Sequence, residues 1–141
     1  MMEVIMADDS RIFVVEIITP DRVFHKCEAT MIEFNTAAGE IGVYKNHIPL
    51  TTVLAPGVVT IHKDGEDKVI AAVHSGFAEI LPDKVTLLAE VAEWPEEIDV
   101  ERAQAAKARA EERLANKTEA IDVARAELAL RRALVRMDIA K

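Results

Sequence analysis

With 141 residues, 50% of them apolar and 30% charged, the chain has the composition of one ordinary or two small folded domains, not of a disordered segment. A single cysteine rules out an intrachain disulfide, no CxxC or His/Cys cluster offers a zinc site, and no apolar run nears the roughly 18 residues of a membrane span. The net charge of −8 is uneven: residues 1–97 hold 7 basic and 17 acidic side chains, residues 98–141 hold 10 and 8, which argues against nucleic-acid binding by the larger part.

The opening "MMEVIMADDS" has no basic targeting region, and residues 1–10 read as a disordered leader. Short strands come next: "RIFVVEIIT" (11–19), "EATMIEFNT" (28–36), "GEIGVY" (39–44), "PLTTVL" (49–54), "GVVTIH" (57–62), "KVIAAVH" (68–74), "GFAEIL" (76–81) and "KVTLLAEVAEW" (84–94). Asp64-Gly65 and Pro82-Asp83 supply turn chemistry between them. Many short strands at such spacing predict an antiparallel sandwich or barrel. Strands apolar on both faces belong at its centre or under a partner. Cys27 reads as a small buried hydrophobe, and a reduced compartment fits the cysteine count.

All five Gly and all five Pro lie at or before Pro95, and the chain from Ile98 onward is rich in the helix formers Ala, Arg, Glu and Leu. "IDVERA" (98–103) returns as "IDVARA" (121–126), and Ala106, Arg109, Ala110 and Arg113 return 23 positions later as Ala129, Arg132, Ala133 and Arg136. Two helices from one pattern, with Asp99 and Asp122 at their starts and a turn near 116–119, predict an antiparallel hairpin. Ala103, Ala106 and Ala110 form one seam and Ala126, Ala129 and Ala133 the other. Arg102, Arg109 and Arg113, echoed by Arg125, Arg132 and Arg136, form guanidinium rows beside the seam. The second arm also spreads Leu128, Leu130, Leu134, Val135 and Ile139 over more than one face, so it is expected to dock on the sandwich or on another protein. The fold class is therefore mixed β and α in two domains: an antiparallel β-sandwich over 1–97 and a two-helix hairpin over 98–141.

No catalytic constellation appears: GxSxG, HExxH and GxxxxGK[ST] are absent, and His25, His47, His62 and His74 stand apart. His25, His62 and His74 read as strand-end residues, and Glu96-Glu97 as a solvated approach to the helix.

"GEIGVYKNHIPL" (39–50), "SGFAEILPDKVTLLAEVAE" (75–93), "EEIDVERAQAAKARAEERL" (96–114) and "RAELALRRALVRM" (125–137) together resemble the epsilon subunit of bacterial F-type ATP synthase. The resemblance covers about residues 11–141 in order. It implies a ten-stranded β-sandwich followed by a helical hairpin, in a non-catalytic rotor subunit that binds the gamma subunit and the c-ring. It further implies a peripheral place on the cytoplasmic face of the bacterial cell membrane. The hairpin would restrain ATP hydrolysis by the alpha/beta hexamer. Carried over by position, Glu40 and His47 would face the c-ring, although "YKNH" stands where the family usually has Pro-Gly before the His. Arg131, Arg132 and Arg136 would meet an acidic segment of the beta subunit.

Some family members bind ATP on the folded hairpin through an "I/L-D-x-x-R-A" motif, which Ile98, Asp99, Arg102 and Ala103 satisfy. Glu93, Arg109, Arg132 and Arg136 complete the set, and Trp94-Pro95 departs from the commoner Arg-Ala beside it. No cofactor is required, and ATP would be a regulatory ligand: arginines from both arms would hold phosphates bidentately and carboxylates the base or ribose. A second reading is a free-standing β-sandwich module whose basic hairpin grips RNA; a hairpin net charge of +2 without aromatics argues against it.

Overall fold

Alternation writes the first strand. In β1 (Phe13–Thr19) Phe13, Val15 and Ile17 point inward and are buried, and the residues between them are only partly covered. The computed structural model describes residues 10–116 and 122–141, so the expected leader, apart from Ser10, and the expected turn beyond Asn116 lie outside the described residues. β1 is followed by β2 (Arg22–Ala29), β3 (Met31–Thr36), β4 (Gly39–Val43), β5 (Leu50–Leu54), β6 (Gly57–His62), β7 (Val69–Leu81) and β8 (Lys84–Glu93).

These eight strands pair in the order β2-β1-β8-β7-β5-β3-β4, with β6 bridging β3 and β7. The sheet folds over at β7, whose first half pairs with β6 and second half with β5. Between the halves the backbone kinks: Ser75 has φ 57° and Gly76 φ 133°. The kink lies opposite Ala55-Pro56, which separates β5 from β6 because proline cannot donate to a ladder. Segments 68–74 and 76–81, expected as two strands, are therefore one, and β8 runs unbroken alongside. That continuity leaves eight strands among the described residues instead of ten.

β2 went unforeseen. It is an edge strand with exposed Arg22 and Val23, and its bulge leaves Phe24 unpaired between Ile17↔His25 and Ile18↔Val23. His25 thus lies mid-strand, and the expected strand 28–36 breaks at Thr30. All strand pairs are antiparallel except that of β1 with β8, the first and last strands, which lie parallel. The core between the layers is built on Phe34, Ile17, Ile32, Ile61, Ile80 and Leu87.

Two helices, α1 (Val100–Ala115) and α2 (Val123–Ile139), pack on each other through Ala103, Ala110, Ala126 and Ala133, all buried. Ala106 and Ala129 flank this seam half-buried. α2 also lies on β6 and β7. It covers a second face of β7: Ala71 and Val73 enter the sandwich core, whereas Ala72 and His74 are buried outside it. A strand apolar on both faces and a helix apolar on more than one face are thus the two sides of one contact. Lys141 N–H closes it at the end of the chain by donating to Pro95 O at 3.3 Å.

Candidate functional site

The junction between sandwich and hairpin is a series of local stops. β8 ends at Glu93, Trp94 stacks on Phe24 with ring centroids 4.3 Å apart, and Pro95 opens a single 3-10 turn, Pro95–Glu97. Trp94 N–H donates to Glu97 Oε1 at 2.9 Å. Asp99 then caps α1, its Oδ1 accepting from Arg102 N–H at 3.1 Å, and Asp122 caps α2 in the same way from Arg125 N–H at 3.1 Å. Both copies of the doubled hexapeptide are thus helix starts, each cap worth about 1 kcal/mol.

Where the arms meet this junction there is a cleft of about 340 Å³, lined by Glu93, Glu97, Asp99, Arg102, Ala103, Ala106, Arg109 and Arg136. Its size falls at the low end of small-molecule sites, roughly 300–1,000 Å³. Six of the eight residues expected to hold ATP line it. Ile98 is instead buried beside it, and Arg132 lies half-buried on α2 without lining it.

Three guanidiniums face three carboxylates here, but the carboxylates are engaged. Asp99 caps its helix. Glu97 accepts from Trp94 N–H and, at 3.5 Å, from Arg22 Nη2. Glu93 Oε1 accepts from Arg136 Nε–H at 2.7 Å and faces His74 Nε2 at 3.1 Å. Arg102 and Arg109, exposed and two turns apart on α1, have no carboxylate partner among the described residues. Alanines 103 and 106 leave the floor between them low. Two free forks, one in the first turn of α1 and one two turns further along, make a cradle for an anion with several oxygens. Nothing in the lining provides a nucleophile activated by a base.

Two participants were not anticipated. Glu97 is exposed, as expected, but also lines the cleft, and His74, 1% exposed, lies mid-strand in β7 instead of at a strand end. Glu40 is exposed on β4 and His47 lies in the loop after it, with Nδ1 2.7 Å from Ile48 O; neither belongs to the cleft. In that loop Asn46 takes φ 67°, a left-handed conformation that asparagine tolerates better than most residues, and its N–H donates to Pro82 O at 2.7 Å. Arg131 is exposed on α2.

The Glu93 carboxyl is held below its ordinary value of 4.5, first by the hydrogen bond from His74, against the upward push of burial, and then by Arg136. His74 and Glu93 both belong to the sandwich, so only the Arg136 part of this depression couples to docking: it stabilises the docked hairpin while Glu93 is ionised and is withdrawn as pH falls through the folded value. Acidification is therefore expected to release the hairpin before the sandwich melts, read as shifts of the ¹⁵N resonances of the β6 and β7 residues that α2 covers while the core resonances persist. Glu93→Gln should remove that acid-dependent step.

The chain's two parts each match a family description. Residues 12–95 match the beta-sandwich domain of "ATP synthase, Delta/Epsilon chain", and residues 96–141 match its long alpha-helix domain. The ATP synthase epsilon chain of Shouchella clausii is 49% identical over 127 residues, 90% of this chain and 93% of that one. That of Brevibacillus brevis is 50% identical over 127 residues, 90% and 96% of the two chains. A chain in the cryo-EM structure of Euglena gracilis mitochondrial ATP synthase superposes with TM-score 0.78 at 24% identity, over 92% of this chain and 80% of that one, a likeness of fold. With both domains matched in order and close relatives covering about nine-tenths of its length, the chain belongs to the ATP synthase epsilon chain family.

Proposed function

We propose that the chain is a peripheral, non-catalytic rotor subunit of an F-type ATP synthase, on the cytoplasmic face of a bacterial cell membrane. Its sandwich holds the gamma subunit and the c-ring, and its hairpin restrains ATP hydrolysis by the alpha/beta hexamer. A row of apolar side chains supports the gamma contact. Val53, Phe77 and Leu88 stand in register across β5, β7 and β8, each about half exposed, and Ile18 continues the row on β1. A continuous exposed apolar row of this kind fits a protein interface. Glu40 and His47 are assigned to the c-ring.

ATP is the proposed regulatory ligand of the cleft. The observation that carries this part is that the three arginines lining one cleft come from both arms of the hairpin, Arg102 and Arg109 from α1 and Arg136 from α2. A polyphosphate there bridges guanidiniums of both arms that only the closed hairpin brings together, so it binds the docked state better and shifts the population toward it. Once the hairpin is released, Arg131, Arg132 and Arg136 are available to carboxylates of the beta subunit. Nothing in the cleft favours RNA, and no aromatic side chain lines it.

The test adds the full chain, or a version ending at Glu97, to an epsilon-depleted catalytic complex and follows ATP hydrolysis over a range of ATP concentrations. The full chain should slow hydrolysis, the shortened one should bind without slowing it, and the slowing should lift as ATP rises. Equal rates with both versions would remove the braking role.

A further inference from the structure

His74 is a costly residue to keep where it is. Its side chain is 1% exposed, and Nδ1 is buried without a hydrogen-bond partner among the described residues. A leucine or phenylalanine would fill similar space with no orphaned nitrogen, and a buried unpaired acceptor is expensive. Something must offset it. The hydrogen bond the ring does make is from Nε2 to Glu93 Oε1, at 3.1 Å.

That oxygen is shared. Glu93 ends β8 and retains some exposure, so its carboxylate is free to swing unless held. Arg136 Nε–H reaches the same Oε1 from α2 at 2.7 Å. The carboxylate accepts from both, which places a proton on Nε2, and in the neutral ring Nδ1 is then the bare acceptor. His74 pairs with Val91 and Glu93 with Ala72 in the β7–β8 ladder, so the two are diagonal neighbours and their side chains share a face. His74 is itself fixed by burial and by the kink at Ser75 and Gly76 immediately after it.

We propose that His74 is a positioning residue, a buried donor that sets the Glu93 carboxylate to receive Arg136 and so latches the hairpin to the sandwich without any ligand. The chain of contacts runs β7 to β8 to α2, and one end is anchored in a strand that cannot turn. This latch rests on the docked hairpin and not on nucleotide binding or on the braking role, and either can fail without the other.

The test uses the full chain, free of nucleotide and of other subunits, labelled with ¹⁵N. Nuclear magnetic resonance reads the His74 tautomer and the solvent exchange of the Arg136 Nε proton, which rises with the undocked fraction. In the unsubstituted chain Nε2 should carry the proton and Nδ1 should not; a proton on Nδ1 with a bare Nε2 overturns the proposal. His74→Phe, which keeps the bulk and loses the donor, should raise Arg136 Nε exchange by roughly tenfold or more. His74→Gln, which returns an N–H donor, should restore slow exchange. Unchanged exchange in His74→Phe, or fast exchange in a folded His74→Gln, overturns the latch. Should His74→Phe fail to fold, the tautomer and the glutamine variant decide.

Discussion

Gly76→Ala is expected to destabilise the chain by at least about 4 kcal/mol, a loss reserved for substitutions the surroundings cannot absorb. A Cβ at Gly76 would lie 2.0 Å from Leu88 O and 3.0 Å from Ala89 Cα, both backbone atoms. The backbone cannot retreat, because Gly76 is laddered to Leu54 on one side and to Ala89 on the other. Its φ of 133° adds conformational strain for any side chain. Relief requires opening the β7–β8 ladder at the place where the sheet folds over. Urea unfolding followed by circular dichroism would read the effect as a large fall in midpoint. A midpoint within a few tenths molar of the unsubstituted chain would mean that the kink is soft.

Replacing Arg102 and Arg109 together by alanine is expected to weaken the proposed binding of ATP to the isolated chain by roughly 100-fold or more, taking about 1.5 kcal/mol for each charge-assisted bond. These are the two cleft guanidiniums without a carboxylate partner among the described residues, whereas Arg136 must first leave Glu93. The exchange should leave the fold intact, since both residues are exposed and alanine is the stronger helix former. Calorimetric titration measures it, and an affinity unchanged in the double variant would place the nucleotide elsewhere. Lysine at both positions should recover only part of the loss, because an ammonium keeps the charge without the planar fork.

Much of the architecture was legible because it is written locally. Gly65 and Pro82-Asp83 mark turns that are present, and Asp99 and Asp122 mark helix starts that cap as expected. The Ser75-Gly76 pair misled for the same reason. A local rule reads it as a turn, but the strand continues through it because β8 pairs past it on one side while β5 and β6 share the other. β2 was hidden by its place at the sheet edge, where Arg22, Lys26 and Glu28 dilute the apolar signal and the bulge at Phe24 interrupts the alternation.

The cleft was legible as a set of residues only through resemblance to a family, since spacing along the chain does not place Glu93 against Arg136, 43 positions away. His74 and Glu97 escaped for a physical reason: their roles are fixed by what lies across from them. A histidine inside "VIAAVHSGF" was nevertheless a signal, because a polar ring in so apolar a run has to be bonded to something.

The alanine seam has a mechanical consequence. Four buried methyl groups give little area to hold two arms of 16 and 17 residues together, while each arm has its own cap and a sequence of strong helix formers. Separating the arms therefore forfeits a weak contact and leaves both helices intact. The element behaves as a jackknife: its blades are stiffer than the friction that keeps them shut, so it opens by swinging and not by melting.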